Sequence, residues 1–305
     1  MNKKSFLNEN RRGKQKSRER MGRGLLLAGV SFLVILSAFY LKNELPEKGA
    51  AKENVKGKRL SYAEQADEQS VQLPNSSDNS KKAVDYYRKR CQKKKATTVV
   101  SVKSASKKQI KQMFYQTKIS DDVFQRMYKK SYKKNCTVPK SDLRYIRVLY
   151  YGFDKKTHIG ELVVNRRIAK DICNIFYKLY VKKYPIEKMV LVDEYNAVDE
   201  DSMADNNTSS FNYRPVSGTT HLSKHSYGMA VDINPLYNPY IHTINGKKVC
   251  EPVMGRKYLN RSKSFAYKID KKDLCYKLFI KHGFTWGGSW KSVKDYQHFE
   301  KKIEN

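Results

Sequence analysis

The run Ser223-Lys-His225-Ser-Tyr-Gly228-Met-Ala230-Val-Asp232-Ile-Asn-Pro235 sets an imidazole and a carboxylate seven positions apart. Gly228 and Ala230 between them are small, which lets backbone approach closely. Ala230-Val-Asp-Ile233 reads as the start of a strand. Asp232 then projects from a strand edge, and His225 lies on the loop before it. One imidazole and one carboxylate are suitable zinc ligands, at about 2.0–2.2 Å each. A third protein ligand is needed, with a fourth position open for water.

Working outward, the next informative segment is Trp286-Gly-Gly-Ser-Trp290, followed by Asp295-Tyr-Gln-His298-Phe-Glu300. His298 can supply the third ligand. Asp295, three residues earlier, can reach the same site from a helical turn or a bend. A carboxylate beside an activated water is what a hydrolase needs as a general base.

The combined pattern is Ser-x-His-x-x-Gly-x-Ala-x-Asp, then Trp-Gly-Gly and Asp-x-x-His-Phe. It resembles peptidase family M15, the zinc D-alanyl-D-alanine carboxypeptidases and L-alanyl-D-glutamate endopeptidases. The resemblance spans about residues 110–300 and is strongest over 206–240 and 283–300. It implies an α+β fold, with a small antiparallel sheet carrying zinc and helices packed on one side. It assigns zinc to His225, Asp232 and His298, and the base to Asp295. Arg214, in Phe211-Asn-Tyr-Arg214, matches an arginine upstream of the first ligand and would polarise the scissile carbonyl. Ser223 would bind substrate or orient a ligand. The D,D-peptidases of the vancomycin-resistance type carry Glu at the base position. Asp295 is closer to the phage-lysin branch that cuts L-Ala–D-Glu bonds, so the cleaved bond stays open. Of the other histidines, His221 is placed to support the ligands from behind. His158, His242 and His282 read as structural or exposed. Trp286 and Trp290 fit either a substrate cleft or the core.

The chain has 305 residues and a formal charge of +32. Such a field calls for anionic partners: nucleic acid, anionic lipid or an anionic wall polymer. Topology arbitrates. Residues 1–23 carry nine Lys and Arg against Glu9 and Glu19, a net of +7, and residues 24–41 carry no charge. Eighteen such residues reach roughly 27 Å as a helix, close to the bilayer's hydrocarbon thickness. The flanking charge keeps the N-terminus in the cytoplasm. Leu36 stands where a cleavage site wants a small residue. The expectation is an uncleaved single-pass anchor in the cell membrane, with the remainder outside the cell.

Residues 42–84 read as a flexible linker of net +1, too polar to order itself. That leaves +24 on residues 85–305, so the basic field belongs to the exported part. Wall polymers or the anionic membrane face become the expected partners. With no recognition motif, nucleic acid is excluded. Residues 85–140 read as a helical lead-in or subdomain, with a helix around Val123, Phe124 and Met127 capped by Ser120 or Asp121. Residues 141–305 form the peptidase domain. Leu143–Tyr150 reads as a strand. Ile168, Ile172, Ile175, Phe176 and Leu179 fall at helical spacing behind an N-cap at Asn165. Met189–Asp193 fits a second strand, and 199–222 a long polar loop. The five cysteines, 91, 136, 173, 250 and 275, are odd in number, so at least one is unpaired.

The functional expectation is a peptidase that hydrolyses peptidoglycan stem peptides during wall remodelling. The alternative is a non-catalytic, metal-containing wall-binding module. A module of that kind would have lost a ligand, Asp295 or Arg214, and all of them are present.

Overall fold

The computed structural model describes residues 87–302. The basic tail, the anchor at 24–41 and the linker at 42–84 lie outside the described residues. Among those described, no helix is long and apolar enough to cross a membrane.

A short helix α1 (Lys107–Gln112) leads into strand β1 (Tyr115–Lys118) and helix α2 (Asp121–Met127). Helix α2 is the one expected around Val123 and Met127, both buried; Ser120 takes the N-cap position without a side-chain bond. The β-branched and aromatic run that follows becomes β2 (Leu143–Tyr151). It pairs antiparallel with β1 on one side and with β3 (Thr157–Asn165) on the other.

Helix α3 (Ala169–Val181) packs on β2 with Ile172, Ile175, Phe176 and Leu179 buried. Fully burying a side chain of this size contributes about 1.5–3 kcal/mol. Ile168, not Asn165, holds the N-cap position. Asn165 accepts from the Arg167 N–H and donates Nδ2–H to the Tyr227 carbonyl. It thereby ties the end of β3 to the turn that carries His225.

Met189–Asp193 is not a strand. The Met189 carbonyl accepts one bond from the Glu161 N–H. The Val190 N–H then turns to the Asn207 side chain, and Val192–Tyr195 winds into a 3-10 turn. The strand beside β2 is Thr157–Asn165, whose apolar pattern is broken by the buried Glu161. Burial alone would raise the Glu161 pKa. The Arg126 fork, the Tyr145 hydroxyl and Arg147 outweigh that and lower it.

The polar stretch 199–222 opens with helix α4 (Asp199–Ala204) and then runs buried through Asn206, Asn207, Thr208, Ser210 and Asn212. Its polar side chains are spent on backbone. Asn207 bonds both the N–H and the carbonyl of Val190, and the Ser210 hydroxyl donates to the Ala230 carbonyl.

Two more three-stranded antiparallel sheets follow. One has the order β4 (Ala230–Asp232), β9 (His298–Glu300), β7 (Thr285–Trp286). The other has the order β6 (Lys247–Glu251), β5 (Tyr240–Ile244), β8 (Lys294–Asp295). Helix α5 (Leu274–Lys281) stacks Phe279 on Phe299 of β9 at 4.3 Å. Phe279, Phe284, Trp286 and Phe299 join the same buried cluster as α3 and β2. The described residues form an α+β fold with small antiparallel sheets, as expected, although the expectation was one sheet and they hold three. All five cysteines are unpaired.

Candidate metal centre

The register of β4 against β9 places Asp232 directly opposite His298. His225 arrives on the 3-10 turn Lys224–Tyr227, where the Ser223 hydroxyl accepts from the His225 N–H. Gly228 closes that turn in the left-handed region, at φ +64. A Cβ there would lie 2.7 Å from the Asn165 backbone nitrogen. Only glycine lets the turn lie against the end of β3.

That contact makes a stability prediction. Gly228→Ala should cost about 1–2 kcal/mol for the left-handed backbone, with the clash added. Gly246 also has positive φ, at +75, but nothing lies within 4 Å of its Cβ position. Gly246→Ala should therefore lower the melting temperature less than Gly228→Ala. Equal shifts would mean the close approach does not matter.

Three donor atoms converge on one point. His225 Nε2 lies 3.1 Å from an Asp232 oxygen and 3.1 Å from His298 Nδ1, and His298 Nδ1 lies 3.0 Å from the other Asp232 oxygen. All three residues are buried. Their remaining atoms are held from behind. His225 Nδ1 lies 2.6 Å from the Ser210 carbonyl, and His298 Nε2 lies 3.1 Å from a Glu300 oxygen. In the tautomers that donate those two bonds, His225 Nε2 and His298 Nδ1 present bare lone pairs to each other and to a carboxylate. Acceptors packed this way need a cation between them. Neighbouring ligands of a tetrahedral zinc with bonds of about 2.0–2.1 Å stand roughly 3.3 Å apart, so the donors fit.

The electrostatics agree. Burial opposes ionisation of Asp232, but the charges and hydrogen bonds of His225 and His298 hold its carboxyl far below the usual range. Burial works against a charged His298, yet bonds to Asp232 and Glu300 push it up to about 10. Both shifts describe the metal-free site, where a proton on His298 Nδ1 takes the place between the acceptors that a metal cation would fill.

Asp295 sits on β8 opposite Tyr240, whose other strand partner is Glu251. One of its oxygens is 4.0 Å from His298 Nδ1, and the other, Oδ1, is buried with no hydrogen-bond partner among the described residues. Burial pushes its carboxyl up to about 8, with Asp232 and Glu251 adding to the rise and His298 and Arg214 opposing it. The Trp-Gly-Gly motif makes the room. A Cβ on Gly287 would meet the Asp295 carbonyl at 2.6 Å and the His298 Cβ at 3.3 Å.

These groups line one cavity of about 260 Å³, together with Arg214, Ser223, Glu251 and Trp290. Arg214 forms an ion pair with Asp199 and donates from Nη1 to the Pro215 carbonyl. Trp290 lies 5.3 Å from the His298 ring, whereas Trp286 is core, its indole N–H donating to the Tyr296 carbonyl. His221 is exposed and is not one of the three converging donors. His158, His242 and His282 pair with Asp154, Glu251 and Asp171. Glu300, the Ser210 carbonyl and Asp199 are the supporting groups that motif reading does not assign. Only Glu300 leaves a sequence signal: two positions after His298 on a strand, it shares that residue's face.

Residues 217–301 match a family model described as D-alanyl-D-alanine carboxypeptidase, of peptidase family M15. Over these residues the chain is similar to the M15 peptidase family. The M15 segment holds all three donors, Asp295, Glu251 and Glu300, while Arg214 lies just upstream of it. No curated protein and no solved structure matches the chain.

Proposed function

We propose that this chain is a zinc-dependent peptidase that hydrolyses peptide bonds in peptidoglycan stem peptides. The observation that carries the reading is the convergence of His225, Asp232 and His298 beside a buried carboxylate with an unpartnered oxygen. The donors suit zinc, which when bound supplies Lewis acidity to a carbonyl and a water. In its ionised form, which a bound cation beside it would favour against the effect of burial, Asp295 would take the proton from the attacking water through Oδ1 and return it to the leaving amine. Arg214, held by Asp199, faces the same cavity and stabilises negative charge developing on the carbonyl oxygen. Ser223 orients His225 through its backbone N–H.

Arg214→Ala should lower kcat/KM by about a hundred- to a thousandfold, the usual effect of losing one oxyanion donor. The metal content should not change. Unchanged kinetics would remove Arg214 from the reaction.

The proposed setting is the outer face of a cell membrane. The uncharged run 24–41 behind a +7 tail supports an anchor, and the +24 remainder supports anionic wall polymer or the membrane face as partner. Protease added to intact protoplasts should then digest the domain; a protected domain would argue against this topology. The catalytic reading is tested by incubating purified peptidoglycan with the chain and weighing the released fragments. Loss of terminal D-Ala, or cleavage between L-Ala and D-Glu, is expected. An unaltered muropeptide spectrum would favour the non-catalytic module instead.

A further inference from the structure

A second cavity, larger than the one at the candidate metal centre, lies elsewhere in the fold. It has a volume of about 1040 Å³ and shares no lining residue with the metal cavity. Its floor is one face of the sheet β1-β2-β3. Arg147 stands opposite Tyr115 on one side and Glu161 on the other, and Tyr145 stands opposite Thr117. All five line the cavity. On this floor the charges are matched. Glu161 takes the Arg126 fork and lies 3.7 Å from Arg147 Nη1, while Glu194 also accepts from Arg126. The Tyr115 hydroxyl is buried with no hydrogen-bond partner among the described residues.

The rim is different. Lys93, Lys94, Lys95 and Lys118 line the cavity, and no ion pair engages any of them among the described residues. The acids of the lining are Asp122, Glu161 and Glu194, and two of these are occupied by the arginines. Four lysines against one free carboxylate, Asp122, over a neutralised floor leave net positive charge that focuses potential into the concavity. Lysine binds phosphate as a point charge, without needing the bidentate geometry of arginine. The volume exceeds that of a single ion and suits a length of chain.

We infer that this cavity binds a segment of a polymer with repeating phosphodiester groups, held by Lys93, Lys94, Lys95 and Lys118. The inference rests on the proposed anionic partner and not on the proposed catalysis. A chain without peptidase activity can still show it, and a peptidase can lack it.

The test uses the full chain, solubilised in detergent, with soluble poly(glycerol phosphate) as the probe at low salt. One variant carries Lys93, Lys94, Lys95 and Lys118 changed to Ala. A control removes the same charge at the exposed Lys271, Lys272, Lys277 and Lys281. The rim variant should bind the probe roughly tenfold or more weakly. The control should stay within about twofold of wild type. The melting temperatures of both variants should match that of wild type, which shows that both are folded. Equal weakening in the two variants would overturn the proposal, because binding would then follow net charge alone. Binding to phosphatidylglycerol vesicles without binding to the soluble polymer would also overturn it.

Discussion

Asp295→Asn is expected to keep its zinc and lose about two to four orders of magnitude in turnover, the usual contribution of a positioned acid–base group. Asp295 lies beside the donors but outside their triangle. Its nearer oxygen is 4.0 Å from His298 Nδ1, against 3.0–3.1 Å between the donors themselves. The amide keeps the shape of the side chain and so the packing against Gly287, but it cannot accept a proton. Asp295→Ala should also retain zinc and should be no more active. Metal analysis alongside stem-peptide hydrolysis separates the outcomes. Loss of zinc in both variants would make Asp295 a ligand. Full turnover with zinc retained would remove it from the reaction and leave Glu300 as the next carboxylate to examine. Glu300 is a weaker base candidate, because one of its oxygens is already engaged by His298 Nε2 at 3.1 Å.

His225→Ala should abolish both metal binding and hydrolysis. Removing one of three protein donors leaves a histidine and a carboxylate, too few to hold the ion in a closed geometry. The loss does not stop at the metal. Asp232 is buried and held ionised chiefly by His225 and His298, so the variant leaves a buried carboxylate with one partner fewer. A destabilised apo protein is expected, and its melting temperature should no longer rise when zinc is added. Wild type should gain stability with zinc, since a ligand that binds only the folded state stabilises it by mass action. Full zinc and activity in His225→Ala would show the donor assignment to be wrong. His221 cannot then be the simple replacement, since it is exposed and is not one of the three converging donors.

The convergence of His225, Asp232 and His298 was more legible in the sequence than the fold around it. His225, Asp232 and His298 are separated by up to 73 positions, yet each sits in a short motif with its own small residues. Those residues proved to have local causes. Gly228 presses on Asn165, and Gly287 clears space for Asp295 and His298. Long periodic elements were also readable, such as α3 with its Ile172, Ile175, Phe176 and Leu179 face. What escaped was anything decided by tertiary pairing. Thr157–Asn165 contains His158, Gly160 and Glu161, so its pattern does not read as a strand. It pairs with β2 along its whole length, and Arg126, 35 residues away, satisfies the Glu161 that this buries. Met189–Asp193 has the better apolar run but is committed to single bonds with Glu161 and Asn207. The lead-in fared likewise. Tyr115–Lys118 adds an edge strand to β2, and Met113 and Phe114 enter the main core, although nothing local in a Lys- and Tyr-rich stretch predicts either. The groups that hold the ligands from behind were hidden for a further reason. A backbone carbonyl such as that of Ser210 has no residue-type signature at all.

The metal centre is the claim on which the rest depends, and it is tested most directly by the metal content of the purified, catalytically active full chain. About one zinc per chain is predicted, removed by a chelator together with hydrolysis of the stem peptide and restored with it when zinc is returned. A chain that hydrolyses the peptide at full rate while carrying no metal would contradict the account.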